Sequence, residues 1–563
     1  MGSSSSPAAG LAPAGFRTNL SGRIGSATRS WADIAQATTL AWGWRRRAIA
    51  FGSGAFGALA LPPLSLVPAM IAPMTVAVWV IDGSYVDSEE KGGWAGVRAA
   101  FGAGWWMGFG YFVAGLWWLG AAFLVEADKF AWALPLGVLA LPAGLALFTG
   151  LGFALTRLLW SHGCLRVLAL SFGLGAAEWL RGLLFTGFPW NDIGMALGAN
   201  LTLAQIASLV GLHGLDFIAV AIFATPATLW RFDAGRFEVV PTAVAGLALA
   251  AIAIFGAARL SAPAAAVAPG VALRIIQPNV AQDASFSPTN KEVLLKRYFA
   301  LSDRPTKTYA GGVRDVTHLI WPESAFPFIL SRDAAALAQI ADFLSGGATL
   351  ITGAARVDEF GDGGLAYFNS IETLTRDGLS GAGYDKQHLV PFGEYVPFQS
   401  LLDRVGVTQF VHIPGGFTPG AGRRLFQVGG LPEATPLVCY EAIFPVEIGD
   451  AISGATRPGF LLNVTDDAWF GDTPGPRQHY AQARLRSIEL GLPMVRAANT
   501  GVSAVVDGFG REVAVLPVGE ENVLDSALPK PLPPTWQSRF GSLNAVAIAL
   551  ALLILSLWAK KRA

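Results

Sequence analysis

Thr435-Pro-Leu-Val-Cys-Tyr-Glu-Ala-Ile-Phe444 opens as an apolar, strand-like run, and Cys439 stands where that run ends, beside an aromatic and an acidic residue. A single cysteine at a strand end is most often a small buried filler. The other cysteine of the 563-residue chain, Cys164, lies far upstream in a hydrophobic segment and reads as filler. Two cysteines rule out a disulfide scaffold and a four-cysteine metal site. Six scattered histidines without a His-Glu-x-x-His pair argue against a zinc enzyme.

Working outward, short β-rich runs recur at Leu273–Gln277, Thr317–Trp321, Thr349–Thr352 and Phe460–Val464. Stretches with amphipathic helical spacing, such as 333–345 and 477–490, lie between them. Apolar strands alternating with helices predict an α/β domain with buried sheets. Its roughly 270 residues are ample for a core of its own.

The rest of the chain has another character. Hydrophobic residues make up 53% of the sequence and charged residues 14%, against about 25% charged in soluble domains. Apolar runs at about 45–61, 64–81, 100–124, 131–156, 165–185, 203–229 and 240–260 precede the α/β segment, and one at about 541–558 follows it. Each approaches the ~20 residues that cross a bilayer. Many of the eighteen tryptophans lie near the ends of these runs, as suits a membrane–water interface. The expected fold is a polytopic α-helical membrane domain of about eight spans plus an α/β domain on one face.

Cations orient it. Arg45, Arg46 and Arg47 flank the first run, and Lys560, Lys561 and Arg562 follow the last, so both ends fall on the cytoplasmic side. Loops with Arg157 and Arg166, and with Arg231 and Arg236, fall on that side too, which leaves residues ~265–535 outside. The expected division is a disordered cytoplasmic leader 1–44, a seven-span domain 45–262, an outer catalytic domain 266–535, an eighth helix 540–558 and a cytoplasmic tail 559–563. The Ser-, Ala- and Gly-rich leader lacks the apolar core of a signal peptide. A net charge of zero gives no basis for a nucleic-acid partner.

Two further residues share the setting of Cys439. Glu323 follows the run Thr317–Trp321 in Trp321-Pro-Glu-Ser-Ala-Phe-Pro327, and Pro322 stops the strand, so the carboxylate projects from the sheet's C-terminal edge. Alone it is a solvated loop carboxylate; flanked by Trp321, Phe326 and Phe328 it is desolvated and its pKa rises, as a general base requires. Lys386 is followed by an aromatic, proline-rich loop whose one charge is Glu394, which does not resemble a solvated face. A lysine held there keeps a thiol ionised or stabilises an oxyanion. Carboxylate, cation and thiol are what acyl transfer through a thioester needs, although they lie 63 and 53 residues apart in the chain.

Trp321-Pro-Glu, Asp385-Lys-x-x-Leu-Val-Pro-Phe-Gly-Glu394 and Cys439-Tyr-Glu441, in this order, resemble the nitrilase (carbon–nitrogen hydrolase) superfamily with its Glu–Lys–Cys triad. With seven preceding runs and one following, the chain resembles the membrane-embedded branch, the bacterial apolipoprotein N-acyltransferases. Gln277-Pro-Asn279, Gly187-Phe-Pro-Trp190, Asp467-Ala-Trp-Phe-Gly471 and Arg496-Ala-Ala-Asn-Thr-Gly501 extend the likeness over nearly everything after about residue 45.

The resemblance implies an αββα catalytic sandwich in the periplasm, on the inner membrane. Cys439 would take the sn-1 acyl chain of a phospholipid as a thioester and pass it to the N-terminal amine of a diacylglyceryl-cysteine apolipoprotein. Glu323 would be the base, Lys386 the oxyanion stabiliser, and Glu394, Tyr440 and Glu441 supporting residues. No metal or other cofactor is implied, and the protein would act as a monomer. An amidase hydrolysing a C–N bond would use the same triad.

Residues 392–414 carry Phe392, Tyr395, Val396, Phe398, Leu401, Leu402, Val405, Phe410 and Val411. They read either as a buried connector or as a lid that dips into the bilayer. Gly187 and Trp190, at the outer end of the fifth run, read either as shaping a lipid portal with Trp469 or as an interfacial anchor. Glu178, Arg181 and Asp192 border them and receive no role. The runs show no paired charges at mid-membrane, which argues against a transporter.

Overall fold

The computed structural model describes residues 26–91, 93–125, 127–231, 236–282, 286–360, 364–380, 383–397, 416–452 and 456–562. Six helices among them are long and apolar enough to cross a membrane: Val67–Ser84, Trp94–Leu124, Ala127–Leu158, Ala207–Thr228, Val240–Leu260 and Leu543–Arg562. The first and fifth predicted spans fold as shorter helices, Gly43–Gly57 and Arg166–Arg181. The expected eight thus become six of full length and two short ones. The first passes into the turn Ala58–Ala60 just before Pro62-Pro63, where proline's missing N–H prevents continuation. Val240–Leu260 and Leu543–Arg562 turn Leu247, Ile254 and Ile554 outward, an apolar surface suited to lipid.

Two expectations for this half are corrected. Part of the leader expected to be disordered is the helix Ser26–Thr39, because Ala35 is fully buried and Trp31 packs edge-on against Trp79 at 5.3 Å; residues 1–25 lie outside the described residues. Paired charges are also present within the bundle. Arg166 meets Asp82 at 3.3 Å, and buried Arg181 pairs with Glu178 and Asp192. Asp82 and Asp192 come from other segments than the arginines they meet, whereas Glu178 and Arg181 share one helix.

The α/β domain holds β1 Leu273–Gln277, β2 His318–Ile320, β3 Thr349–Glu359, β4 Leu365–Thr375, β5 Gly378–Leu379 and β6 Tyr384–Asp385. Its second half holds β7 Ala434–Val438, β8 Phe460–Thr465, β9 Met494–Ala498, β10 Ser503–Val506, β11 Glu512–Leu516 and β12 Asn522–Ser526. One sheet runs β12-β1-β2-β3-β4-β5, with β6 also on β4, and the other runs β11-β10-β9-β8-β7. The central strands β1-β2-β3 and β7-β8-β9 are parallel, and their near-continuous apolar sequence is what burial on both faces demands.

Alternate residues sort into layers. Leu273, Ile275, Val438, Leu462, Val464 and Val495 pack between the sheets. Ile276, Leu319 and Leu350 face the other way, with the helices Lys291–Ser302 and Ala334–Phe343. Leu437, Leu461 and Met494 lie with the helices Pro445–Ile452 and Pro474–Leu490. The result is an αββα sandwich, each buried Ile, Leu or Val side chain contributing about 1.5–3 kcal/mol.

Pro474–Leu490, expected to be amphipathic, is instead buried on two sides. Tyr480, Ala483 and Leu490 pack on the sheet side, while Ala481, Leu485 and Ile488 join the membrane domain's core with Trp190, Leu197 and Leu215. It carries part of the contact between the two halves.

Candidate active site

β7 delivers Cys439 at its C-terminal end with φ 49°, and the chain then turns at once into the helical turn Cys439–Ile443. A non-glycine residue in the left-handed region costs on the order of 1–3 kcal/mol and persists only where its surroundings hold it. Glu441, fully buried, does much of the holding. Its Oε2 accepts from the Val438 N–H at 2.8 Å, while Oε1 accepts from the Tyr384 hydroxyl at 2.8 Å and the Gln387 N–H at 2.9 Å. One carboxylate therefore fastens the Cys439 turn to the loop that presents Lys386.

Glu323 leaves β2 through Pro322, and Ser324 after it has φ 52°. Gly353 of β3 makes room for this turn: a Cβ there would lie 2.4 Å from the Cα of Glu323. Glu323 Oε1 accepts from the Asn369 amide at 2.7 Å, and Oε2 accepts from the Asp466 N–H at 2.8 Å. Trp321 and Phe326, expected to desolvate the carboxylate, belong to the helix-side core; Asn369, Asp466 and Lys386 are what surround it. Lys386, 1% exposed, places Nζ 3.5 Å from Glu323 and 3.0 Å from Glu394. Asn369 donates to Glu394 as well, at 2.7 Å.

The electrostatics follow from burial and these neighbours. Burial pushes the Glu323 carboxyl up, and Lys386 partly offsets the rise. Burial would lower the Lys386 ammonium, but Glu394 and Glu323 hold it above the ordinary lysine range. The Cys439 thiol is pushed well up by burial and by Glu323, against Lys386. The site thus holds a buried thiol within the electrostatic influence of the Glu323 carboxyl, with a fixed cation between two acids.

The motifs at 467–471 and 496–501 hide a second network. Burial and the charge of Glu323 push Asp466 up to about 8. Burial also works against ionised Asp467, yet Arg496 and His479 outweigh it and bring the carboxyl down to about 2. Asp467 meets Arg496 at 2.8 Å, the Thr465 hydroxyl at 3.0 Å and His479 Nδ1 at 2.8 Å, and His479 Nε2 lies 3.1 Å from the Cys439 carbonyl. The sequence pattern singled out only Trp469 here, which is half-buried in the turn Asp467–Phe470. The ring that meets the membrane domain is Phe470, 4.8 Å from Trp118 and 5.8 Å from Trp190.

Gly187 and Trp190 reach the site from the membrane side. The Tyr440 hydroxyl donates to the Gly187 carbonyl at 3.1 Å. Trp190 and Trp118 both donate to Gln478 Oε1 at 3.1 Å. Trp190 is 2% exposed, which excludes the interfacial-anchor reading. Arg181 shapes the turn by donating to the Trp190 carbonyl at 2.9 Å. In the expected lid, Phe392 is exposed with φ 63° and Tyr395 is half-buried; Phe398 and the rest of that stretch to 415 lie outside the described residues. Cys164 and Cys439 are both free thiols.

A buried thiol, carboxylate and lysine at the strand ends of a double-sheet sandwich, carried on apolar helices, define a membrane-embedded protein with a carbon–nitrogen hydrolase domain. The carbon-nitrogen hydrolase family model matches residues 312–532, and that of the apolipoprotein N-acyltransferase N-terminal domain matches residues 53–225. The chain belongs to the apolipoprotein N-acyltransferase family. It is 50% identical to the apolipoprotein N-acyltransferase of Rhodopseudomonas palustris and 49% identical to that of Bradyrhizobium diazoefficiens, each over 94% of this chain and 98% of the relative. It is 44% identical to that of Brucella melitensis over 91% of this chain and 95% of the relative. Among solved structures, the NitN amidase from Neterenkonia sp. AN1 is 19% identical with a TM-score of 0.32, covering 46% of this chain and 93% of that one.

Proposed function

We propose that this protein transfers the sn-1 acyl chain of a phospholipid, by way of a thioester on Cys439, to the N-terminal amine of a diacylglyceryl-cysteine apolipoprotein. Cys439 Sγ attacks the ester carbonyl while Glu323 takes the thiol proton, and the Lys386 ammonium stabilises the oxyanion. Glu323 returns its proton to the leaving lysophospholipid alkoxide, which yields the thioester. The lipoprotein amine then attacks, Glu323 accepts its proton, and the thiolate leaves. Glu394, Tyr440 and Glu441 support this centre by the contacts described above. Gly187, Trp190, Phe392, Tyr395, Phe398 and Trp469 are proposed to line the lipid approach.

The observation that carries the reading is the burial of Glu323, Lys386 and Cys439 together at a site bonded directly to the apolar helices. Two lipid substrates account for that tether. On the proposed topology, residues 266–535 lie in the periplasm on the inner membrane, between a seven-span domain 45–262 and an eighth helix 540–558, with 1–44 and 559–563 cytoplasmic. The acting unit is proposed to be one chain, with no nucleic-acid partner.

Purified protein given phospholipid and a diacylated lipopeptide should form triacylated product. With the acceptor withheld, mass spectrometry should find an acyl group on Cys439, and Cys439→Ala should remove both signals. Steady release of free fatty acid without transfer to the lipopeptide would sink the proposal and favour hydrolysis.

A further inference from the structure

The proposed chemistry gives the imidazole of His479 no task. His479, fully buried, has Nδ1 2.8 Å from Asp467 Oδ1 and 3.3 Å from Arg496 Nη2, and Nε2 3.1 Å from the carbonyl oxygen of Cys439; it donates to both acceptors when both ring nitrogens carry a proton. Asp467 is itself fixed by Arg496 and Thr465. A ring nitrogen of His479, a carboxylate oxygen of Asp467 and the sulfur of Cys439 lie within 4.8 Å of one another. These residue types could form a Cys–His–Asp catalytic set, but the imidazole bonds the cysteine's backbone rather than its thiol. Cys439 needs such a bond, because its φ of 49° is a conformation that local preference opposes.

We infer that His479, oriented by Asp467, is a positioning residue that pins the Cys439 carbonyl and so aims the sulfur at the substrate. The neighbour of His479 extends its reach. Gln478 accepts from Trp118 and Trp190, and its own amide donates to the Gly115 carbonyl at 3.3 Å. Consecutive residues of one helix thus grip the membrane domain and the nucleophile, so the seating of the two domains is transmitted to the cysteine backbone. The inference rests on Cys439 being the acyl carrier proposed above.

The test uses the full chain in detergent, in a Cys164→Ser background so that Cys439 is the one thiol. His479→Ala removes the donor; His479→Gln keeps an amide N–H that reaches the carbonyl. Three rates are read per folded molecule: alkylation of Cys439 by iodoacetamide, single-turnover thioester formation from phospholipid, and steady-state turnover resolved into kcat and KM. Misplacing a nucleophile by about an ångström costs on the order of 100-fold, so His479→Ala should lower thioester formation by about that factor with phospholipid KM unchanged. His479→Gln should recover about tenfold of it.

Wild-type thioester rates in His479→Ala, or no advantage of Gln over Ala, would overturn the inference. So would displacement of the acid limb of the pH profile, which would make His479 a base. If the Ala variant does not fold, Asp467→Asn stands in for it and should slow thioester formation through a loosened imidazole; an unchanged rate overturns the inference. A wild-type protein that forms no thioester, yet whose Cys439 alkylates faster than that of His479→Ala, would refute the acyl-carrier reading and leave the positioning role intact.

Discussion

The hydroxyl of Tyr440 donates to the carbonyl of Gly187 across 3.1 Å, so the residue after Cys439, the proposed nucleophile, is bonded to the membrane domain. Both partners are buried, and a buried carbonyl stripped of its donor costs about 1–3 kcal/mol. Tyr440→Phe should therefore lower the thermal midpoint in detergent and slow thioester formation together. An unchanged midpoint with normal acylation would show that the two halves do not communicate through this bond.

Among the described residues, Lys386 is the one cation paired with both Glu323 and Glu394. In Lys386→Met both acids lose it, and breaking a buried pair in this way costs about 3–5 kcal/mol. The proposed base works only when ionised. Burial already lifts the Glu323 carboxyl, and Lys386 acts against that lift, so its removal raises the carboxyl further. The acid limb of the acylation rate, which falls as pH drops through the Glu323 pKa, should move to higher pH in the variant. An acid limb that stays put while the rate collapses would mean that Lys386 acts on the oxyanion alone.

Glu323, Lys386 and Cys439 were legible in the sequence through the ordered motifs that hold them, since alone a strand-end cysteine reads as filler and Glu323 as a solvated loop carboxylate. The sheets were legible for a different reason, since strands buried on both faces read as unbroken apolar runs. What escaped reading was burial of polar residues. Asp467, His479 and Arg496 are charged or titratable residues on three different elements, and nothing local shows that the turn after β8, β9 and the helix Pro474–Leu490 bring them together. That helix mixes Arg, Gln and Glu with apolar residues and so reads as half-exposed, yet the membrane domain covers its outer face. The helix Ser26–Thr39 escaped because its polar composition hides one well-placed Trp31 and Ala35.

Gly353 shows how closely Glu323, the proposed base, is packed. A methyl group there would lie 2.4 Å from the Glu323 Cα and 2.8 Å from the Pro322 carbonyl oxygen, both backbone atoms that cannot swing aside. Gly353→Ala should then cost about 1–3 kcal/mol of stability as overpacking. It should also push Glu323 away from the Asn369 amide. The expected signature is a folded protein whose thioester formation is slow while Cys439 still alkylates with iodoacetamide, since the thiol's own support is untouched. Normal acylation in this variant would mean that β3 yields more easily than its pairing on both sides implies.

Asp467 ties the site to stability with a sign that can be checked. Its carboxyl is held at about 2 against an ordinary value of 3.8, because Arg496 and His479 outweigh the opposing burial. A group depressed on folding contributes stability that is fully present above its unfolded pKa and is lost as pH falls through the folded one. The shift corresponds to roughly 2 kcal/mol. Asp467→Asn should therefore destabilise the protein by about that much from neutral pH down to about 4. The gap from wild type should close as pH falls toward about 2, where the native carboxylate also takes up its proton. Thermal midpoints of both proteins across that range measure it, and a gap that stays constant with pH would show that Asp467 acts through packing rather than charge.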